Sequence, residues 1–137
     1  MALARRFEEL EIWQEARQLH RLVWEETRAS KDFEFRSQIR RAALSVMNNV
    51  AEGFERRTTK DFAHFLDLAK SSCGELRSMA YAGEDVGVFE AGWAGDLRIQ
   101  AESLSKRIAA FARHLRRSPL PPTTIASVYL LPYLRSL

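Results

Sequence analysis

Apolar and polar positions recur along this chain at helical spacing in four stretches. From Phe7 to about Arg28, Trp13, Ala16, His20, Val23 and Thr27 follow at three- and four-residue steps, flanked by Ile12, Leu19 and Trp24, which predicts an amphipathic helix. Ser30, Lys31 and Asp32 interrupt it. Phe35, Ile39, Ala43, Val46, Val50 and Gly53 then form a second stripe. A third helix is expected to start near Thr58 or Thr59, because Thr58 and Asp61 are spaced as a capping box with Asp in place of the usual Glu. Its stripe runs through Phe62, Phe65, Leu66, Ala69, Cys73, Leu76 and Ala80, and Gly83 and Gly87 are expected to weaken and end it. The fourth helix, from about Ala91 to Arg116, has Leu97, Ala101, Leu104, Ile108, Phe111 and Leu115 at alternating steps of four and three, a heptad pattern.

No stretch alternates apolar and polar residues over strand length, and no hairpin dipeptide sits between such stretches. The expected fold class is therefore all-α. Short links between long helices favour antiparallel neighbours, which predicts an up-down-up-down four-helix bundle over residues 1–117. Residues 118–137, SPLPPTTIASVYLLPYLRSL, form a proline-containing C-terminal tail. Its prolines forbid a continuing helix, while Val128, Tyr129, Leu130, Leu131 and Tyr133 are too apolar for a free linker. The tail is expected to dock, with another subunit as one place for it and a mobile tail as the alternative.

A length of 137 residues suits one domain with one core. With 46% hydrophobic and 28% charged residues, the composition is that of a soluble globular protein, and no apolar run approaches the roughly 20 residues of a membrane span. The segment MALARRFEELEIW lacks the apolar core and small-residue cleavage site of a secretory signal, so a cytoplasmic location is expected. A lone cysteine, Cys73, forms no internal disulfide and no multi-thiolate zinc site; it is expected to pack as a small apolar side chain.

Charge is unevenly placed. Residues 31–60 carry seven Lys/Arg against four Asp/Glu and residues 91–117 carry six against two, whereas residues 61–90 carry two against six. Basic surfaces attract phosphates and acidic ones attract basic surfaces, so nucleic-acid binding and head-to-tail self-association are both open.

The stretch SVMNNVAEGFERRT, residues 45–58, sharpens the question. On a helical wheel, Ile39, Ala43, Val46, Val50 and Gly53 fall within about 40° of one direction and should face the bundle. Ser37, Arg41, Ser45, Asn48 and Glu52 cluster opposite, with Gln38, Ala42 and Asn49 at the border. A solvated face is the plain alternative. Solvated faces favour Lys and Glu over Ser and Asn, however, because the latter compete for their own backbone. A packed polar seam with another chain, using Ser45, Asn48, Asn49, Glu52 and Gly53, accounts for the choice better.

These residues carry a resemblance. LEIWQEARQL followed by SQIRRAALSVMNNVAEGFERRTTKDFAHFLDLAKSSCGELRS resembles the four-helix-bundle family encoded by intervening sequences within bacterial large-subunit ribosomal RNA genes, itself similar to the accessory variability proteins of diversity-generating retroelements. It covers roughly residues 7–116. Its most specific parts are Gln38-x-Arg40-Arg41, Ser45, Asn49-x-Ala51-Glu52-Gly53, Arg57 through Phe65, and Ala69-x-Ser71-Ser72 to Glu75-Leu76. The resemblance implies a homopentameric ring without catalytic activity, whose retroelement relatives use a basic surface to bind nucleic acid and a reverse transcriptase. The chain departs from the family at SKDFEFRSQ, which is short and lacks the family's proline and Gly-Leu pair.

Enzymatic chemistry finds few candidates. Inward Glu pairs and Glu-x-x-His motifs, which a di-metal bundle needs, are missing, and His20, His64 and His114 lie on different expected helices. Neither a Gly-rich phosphate loop nor a nucleophile elbow is present, so no catalytic residue, metal or cofactor is expected. Ser72-Cys73-Gly74 is better explained by close helix approach than by a nucleophile.

Arginines offer the stronger signal, since their forks match phosphate oxygens in two-point geometry. Arg36, Arg40 and Arg41, then Arg56, Arg57 and Lys60, flank the polar segment, and Arg113, Arg116 and Arg117 close the fourth helix. Their ordinary roles stay open: Arg113, Arg116 and Arg117 also complement a helix dipole, and Glu52 and Arg56 are spaced to pair on one helix. The expected function is a non-enzymatic, homo-oligomeric, backbone-directed nucleic-acid-binding protein, serving RNA or a reverse transcriptase as an accessory factor. The alternative is a structural or protein-interaction oligomer that binds no nucleic acid.

Overall fold

The computed structural model describes residues 4–117; the expected docking of residues 118–137 lies outside the described residues. A 3-10 turn over Phe7–Glu9 leads into α1 (Glu11–Glu26), followed by α2 (Phe33–Phe54), α3 (Thr59–Asp85) and α4 (Ala91–Arg117). Among the described residues there is no strand, and the all-α four-helix bundle is as the sequence predicts. The order of packing follows the chain: α3 lies against both α2 and α4, α1 lies on α2, and α1 meets α4 along a narrower strip. No described helix is long and apolar enough to cross a membrane.

The first helix starts later than its periodicity suggests. Leu10 is extended, at φ −74° and ψ 127°, and wholly buried, so the chain turns inward before α1 begins at Glu11. Gln14 ties the turn down, its Nε2 donating to Glu8 O at 2.7 Å. Burial also selects a slightly rotated face of α1. Ile12 and Leu19, placed at the flanks of the expected stripe, are buried with Ala16 and Val23, whereas His20 is half-buried and Trp24 is 43% exposed.

Helix ends follow local chemistry. Asp32 caps α2 by accepting from Phe35 N at 3.1 Å, and Thr58 caps α3 by accepting from Asp61 N at 3.1 Å. At its other end α3 turns through Gly87, whose φ of 77° is left-handed. Gly83 has a different duty from the expected weakening. A Cβ there would lie 2.4 Å from Phe89 Cδ2, so the missing side chain is the space that Phe89 fills. Val88 N and Phe89 N both donate to Gly83 O, at 2.8 and 3.1 Å, folding the link back onto the helix.

The core is continuous along the bundle. Leu97, Ala101, Leu104, Ile108, Phe111 and Leu115 of α4 are all buried, as the heptad requires. They meet Leu66, Ala69, Cys73, Leu76 and Ala80 of α3, and Ile39, Ala43, Val46 and Val50 of α2. Edge-to-face rings close each end: Phe62 stands 5.2 Å from Phe111 at one end, and Phe35 stands 5.5 Å from Phe89 at the other. Thr27, a wholly buried polar side chain, is satisfied by donating to Val23 O at 2.7 Å.

Candidate nucleic-acid interface and association groove

The antiparallel helices divide the candidate basic residues between two ends of the bundle. Arg36 and Arg40 lie where α1 ends and α2 starts, while Arg56, Arg57 and Lys60 lie where α2 ends and α3 starts. Helical rise separates Arg36 from Arg56 by about 30 Å, so they form no single patch within one chain. Arg113, Arg116 and Arg117 join the second group, because α4 ends beside the start of α3.

Several of these arginines are already engaged. Arg40 donates from Nε to Thr27 Oγ1 at 2.8 Å and from Nη2 to Trp24 O at 3.1 Å, placing a cation on the last carbonyls of α1. Its pKa is held below the ordinary value by desolvation first, and then by the Arg36 and Arg28 guanidiniums. Arg36 donates to Ser30 O at 3.1 Å. Arg56 pairs with Glu52 at 2.9 Å and lies 4.5 Å from the Phe65 ring centroid. Arg116 grips both carboxylate oxygens of Asp67, and that hydrogen bond raises its pKa above the ordinary value despite partial desolvation.

The rest stand clear. Arg57, Lys60, Arg113 and Arg117 are exposed, and none has an ion pair or hydrogen bond among the described residues. They are the phosphate-binding candidates with donors to spare. Arg41 sits elsewhere, on the outer face of α2 near its middle.

That outer face forms an open groove of about 1090 Å3, lined by Ser37, Gln38, Arg41, Ser45, Asn48, Asn49 and Glu52, with Phe33 and Leu44 along it and Glu75 of α3 at its side. The polar row singled out in the sequence thus lies in one concave surface, but its members differ. Ser45 and Ser72 bond through their hydroxyls at 2.8 Å, and Asn49 Nδ2 donates to Ser45 O at 2.9 Å and to Ser45 Oγ at 3.0 Å. Asn48 and Glu52 point outward and are exposed. Gly53 departs from its expected place at a subunit seam. It is buried inside the chain, where an added Cβ would lie 2.8 Å from Phe65 Cβ and 3.2 Å from Phe62 O, so its absent side chain lets α3 approach α2.

Other chemistry is sparse. Among the described residues no group of three or more His, Cys, Asp or Glu side chains could hold a metal ion. Cys73 is buried, and desolvation pushes its thiol up to about 12, consistent with an inert packing role.

Residues 8–110 match the model of the 23S rRNA-intervening sequence protein family. The chain belongs to that family. Family membership spans the bundle from its first turn to late in α4 and includes the polar row of α2 and the Arg57–Phe65 segment. Arg113, Arg116 and Arg117 lie beyond the matched stretch. Comparison with curated proteins gives no match.

The sequence pattern did not reveal a second set of residues, on the seam between α1 and α2. Trp24, read as a flank of the core stripe, is exposed and carries Arg40 3.7 Å from its ring centroid. The signal lay in Arg17, His20 and Trp24, whose steps of three and four keep them on one side of α1, with Arg28 just past its end.

Proposed function

We propose that the protein assembles with copies of itself and binds the phosphate backbone of nucleic acid, without catalysing a reaction. The observation that carries this reading is the end of the bundle where Arg57, Lys60, Arg113 and Arg117 are exposed without ion pairs among the described residues. Unpaired guanidinium and ammonium groups keep their donors for phosphate, whereas Arg116 and Arg56 spend theirs on Asp67 and Glu52. Weak phosphate contacts add, and a symmetric assembly repeats each one. Self-association is supported by the groove on α2, whose small polar rim suits a helix from a second copy better than open water does. A five-membered ring, and RNA or a reverse transcriptase as the partner, draw support from the resemblance to retroelement accessory variability proteins.

A second reading, an oligomer that binds only protein, is favoured by the charge of the groove, where Glu34, Glu52 and Glu75 outnumber Arg41. Filter-binding titrations of duplex DNA, single-stranded DNA and RNA over a salt series separate the two. Binding that falls steeply with salt supports the nucleic-acid reading. No retention at low salt contradicts it and leaves the protein-only oligomer.

A further inference from the structure

On the outside of the bundle, the flanks of α1 and α2 that face each other carry aromatic and basic side chains in alternation. Arg17, His20 and Trp24 lie along this flank of α1, with Arg28 just past its end, and Phe33, Arg36 and Arg40 follow at steps of three and four on α2. Antiparallel packing interleaves the two rows. Arg40 lies 3.7 Å from the Trp24 ring centroid, and Arg36 lies 4.6 Å from that of Phe33. His20 continues the stack, 5.9 Å from Trp24.

These rings are not serving the core. Phe33 is 65% exposed and Trp24 is 43% exposed, although large aromatic side chains ordinarily contribute by burial. Nearby carboxylates are committed to other partners or faces. Glu25 pairs with Arg28 at 2.9 Å, Asp32 caps α2, and Glu34 lines the α2 groove, at whose edge Phe33 also lies. Arg36 and Arg40 have no carboxylate partner among the described residues.

We propose that the α1–α2 seam is a platform for single-stranded nucleic acid, with bases stacking on Trp24, Phe33 and the outer face of the Arg40 guanidinium while Arg36 contacts phosphate. Stacking needs exposed base faces, which a single strand offers and a duplex hides. The platform rests on the nucleic-acid reading above and adds to it a choice of strand state and a second place on the molecule. Duplex backbone binding belongs to the other end, at Arg57, Lys60 and Arg113.

The test is fluorescence anisotropy with a labelled oligothymidylate and a labelled duplex of equal length, using the full chain and Trp24→Ala/Phe33→Ala. Loss of two stacking rings should weaken oligothymidylate binding about ten-fold or more and leave duplex binding within about two-fold. Arg57→Ala/Lys60→Ala should do the reverse, weakening duplex binding and leaving oligothymidylate within about two-fold. Far-UV dichroism checks the fold; if the double variant does not fold, Phe33→Ala alone, at an exposed position, should still weaken oligothymidylate selectively. Unchanged binding, or equal loss on both probes, overturns the platform and leaves the nucleic-acid reading standing. A wild-type protein that binds neither probe at low salt overturns both. Dissociation of the assembly by Trp24→Ala alone in sedimentation, a position outside the α2 groove, assigns the seam to a second copy and overturns the platform.

Discussion

Ser45 of α2 and Ser72 of α3 share a 2.8 Å hydroxyl–hydroxyl hydrogen bond, which turns part of the polar row of α2 toward its own bundle. Ser72 also bonds to Leu68 O at 3.2 Å, and Asn49 reaches back to Ser45, so small polar side chains here form a satisfied strip between two helices. Asn48 and Glu52 belong to the outward half of the row. The preference for Ser and Asn over Lys and Glu therefore has two causes: a polar contact within the chain, and an open groove beside it.

Close approach of α2 and α3 at Gly53 leads to the first prediction. Alanine is a better helix former than glycine by about 1 kcal/mol, but forcing a methyl into a packed interface costs about 1–3 kcal/mol. The neighbours are Phe65 Cβ and Phe62 O, which cannot swing aside as a flexible chain end would. Gly53→Ala should lower unfolding stability by about 1 kcal/mol, within a net range of about 0–2 kcal/mol. A denaturant melt showing greater stability, the full helix-propensity gain of about 1 kcal/mol, contradicts the close approach.

Ile108 is wholly buried in the heptad face of α4. Ile108→Ala should cost about 2–5 kcal/mol, from the apolar burial removed plus the cavity left behind. A chemical melt unchanged within about 0.5 kcal/mol would place Ile108 at a surface.

Half-buried His20 should make stability depend on pH. Its pKa is held below the ordinary value of 6.5, first by desolvation and then by Arg40. The folded state thus binds the proton more weakly than the unfolded chain does. The stability from this site is full above the ordinary value, and it is lost as pH falls from there through the folded pKa. Carboxylates titrate in acid as well, so the informative quantity is a difference between proteins. From about pH 8 to about pH 5, Tm should fall less in His20→Gln than in the wild type. Equal falls would show that the ring titrates alike in both states.

Self-association through the α2 groove is open to a direct test at Asn48, which is exposed and makes no hydrogen bond among the described residues. Asn48→Arg places a long charged side chain in the seam without touching the core. Sedimentation velocity should show a smaller species with far-UV dichroism intact. An assembly of unchanged size places the subunit interface on another face.

The four helices were legible because burial follows their periodicity: every heptad position from Leu97 to Leu115 is inside. Thr58 announced its helix through local chemistry alone, whereas Asp32, read only as part of a break, turned out to cap α2. Periodicity was less informative for α1, where Leu10 breaks the regular backbone and His20 yields its place to Leu19. Gly53 and Gly83 could be seen as small, but which side chain fills the space beside each depends on Phe65 and Phe89 from other parts of the chain. The fate of the arginines was the least legible. Arg116 is taken by Asp67 and Arg40 by Trp24 and Thr27, partners far away in sequence that only the fold brings within reach. Spacing marked the basic residues; tertiary pairing decided which keep free donors.

Salt dependence tests phosphate binding at the Arg57 end most directly. Plotted as log affinity against log salt for duplex DNA, the wild-type slope should be steep, and Arg57→Ala/Lys60→Ala/Arg113→Ala should flatten it by roughly 0.9 for each phosphate no longer neutralised. Arg116→Ala, which removes a side chain already held by Asp67, should change the slope much less. An identical slope in the wild type and the triple variant contradicts a phosphate-binding role for this end of the bundle.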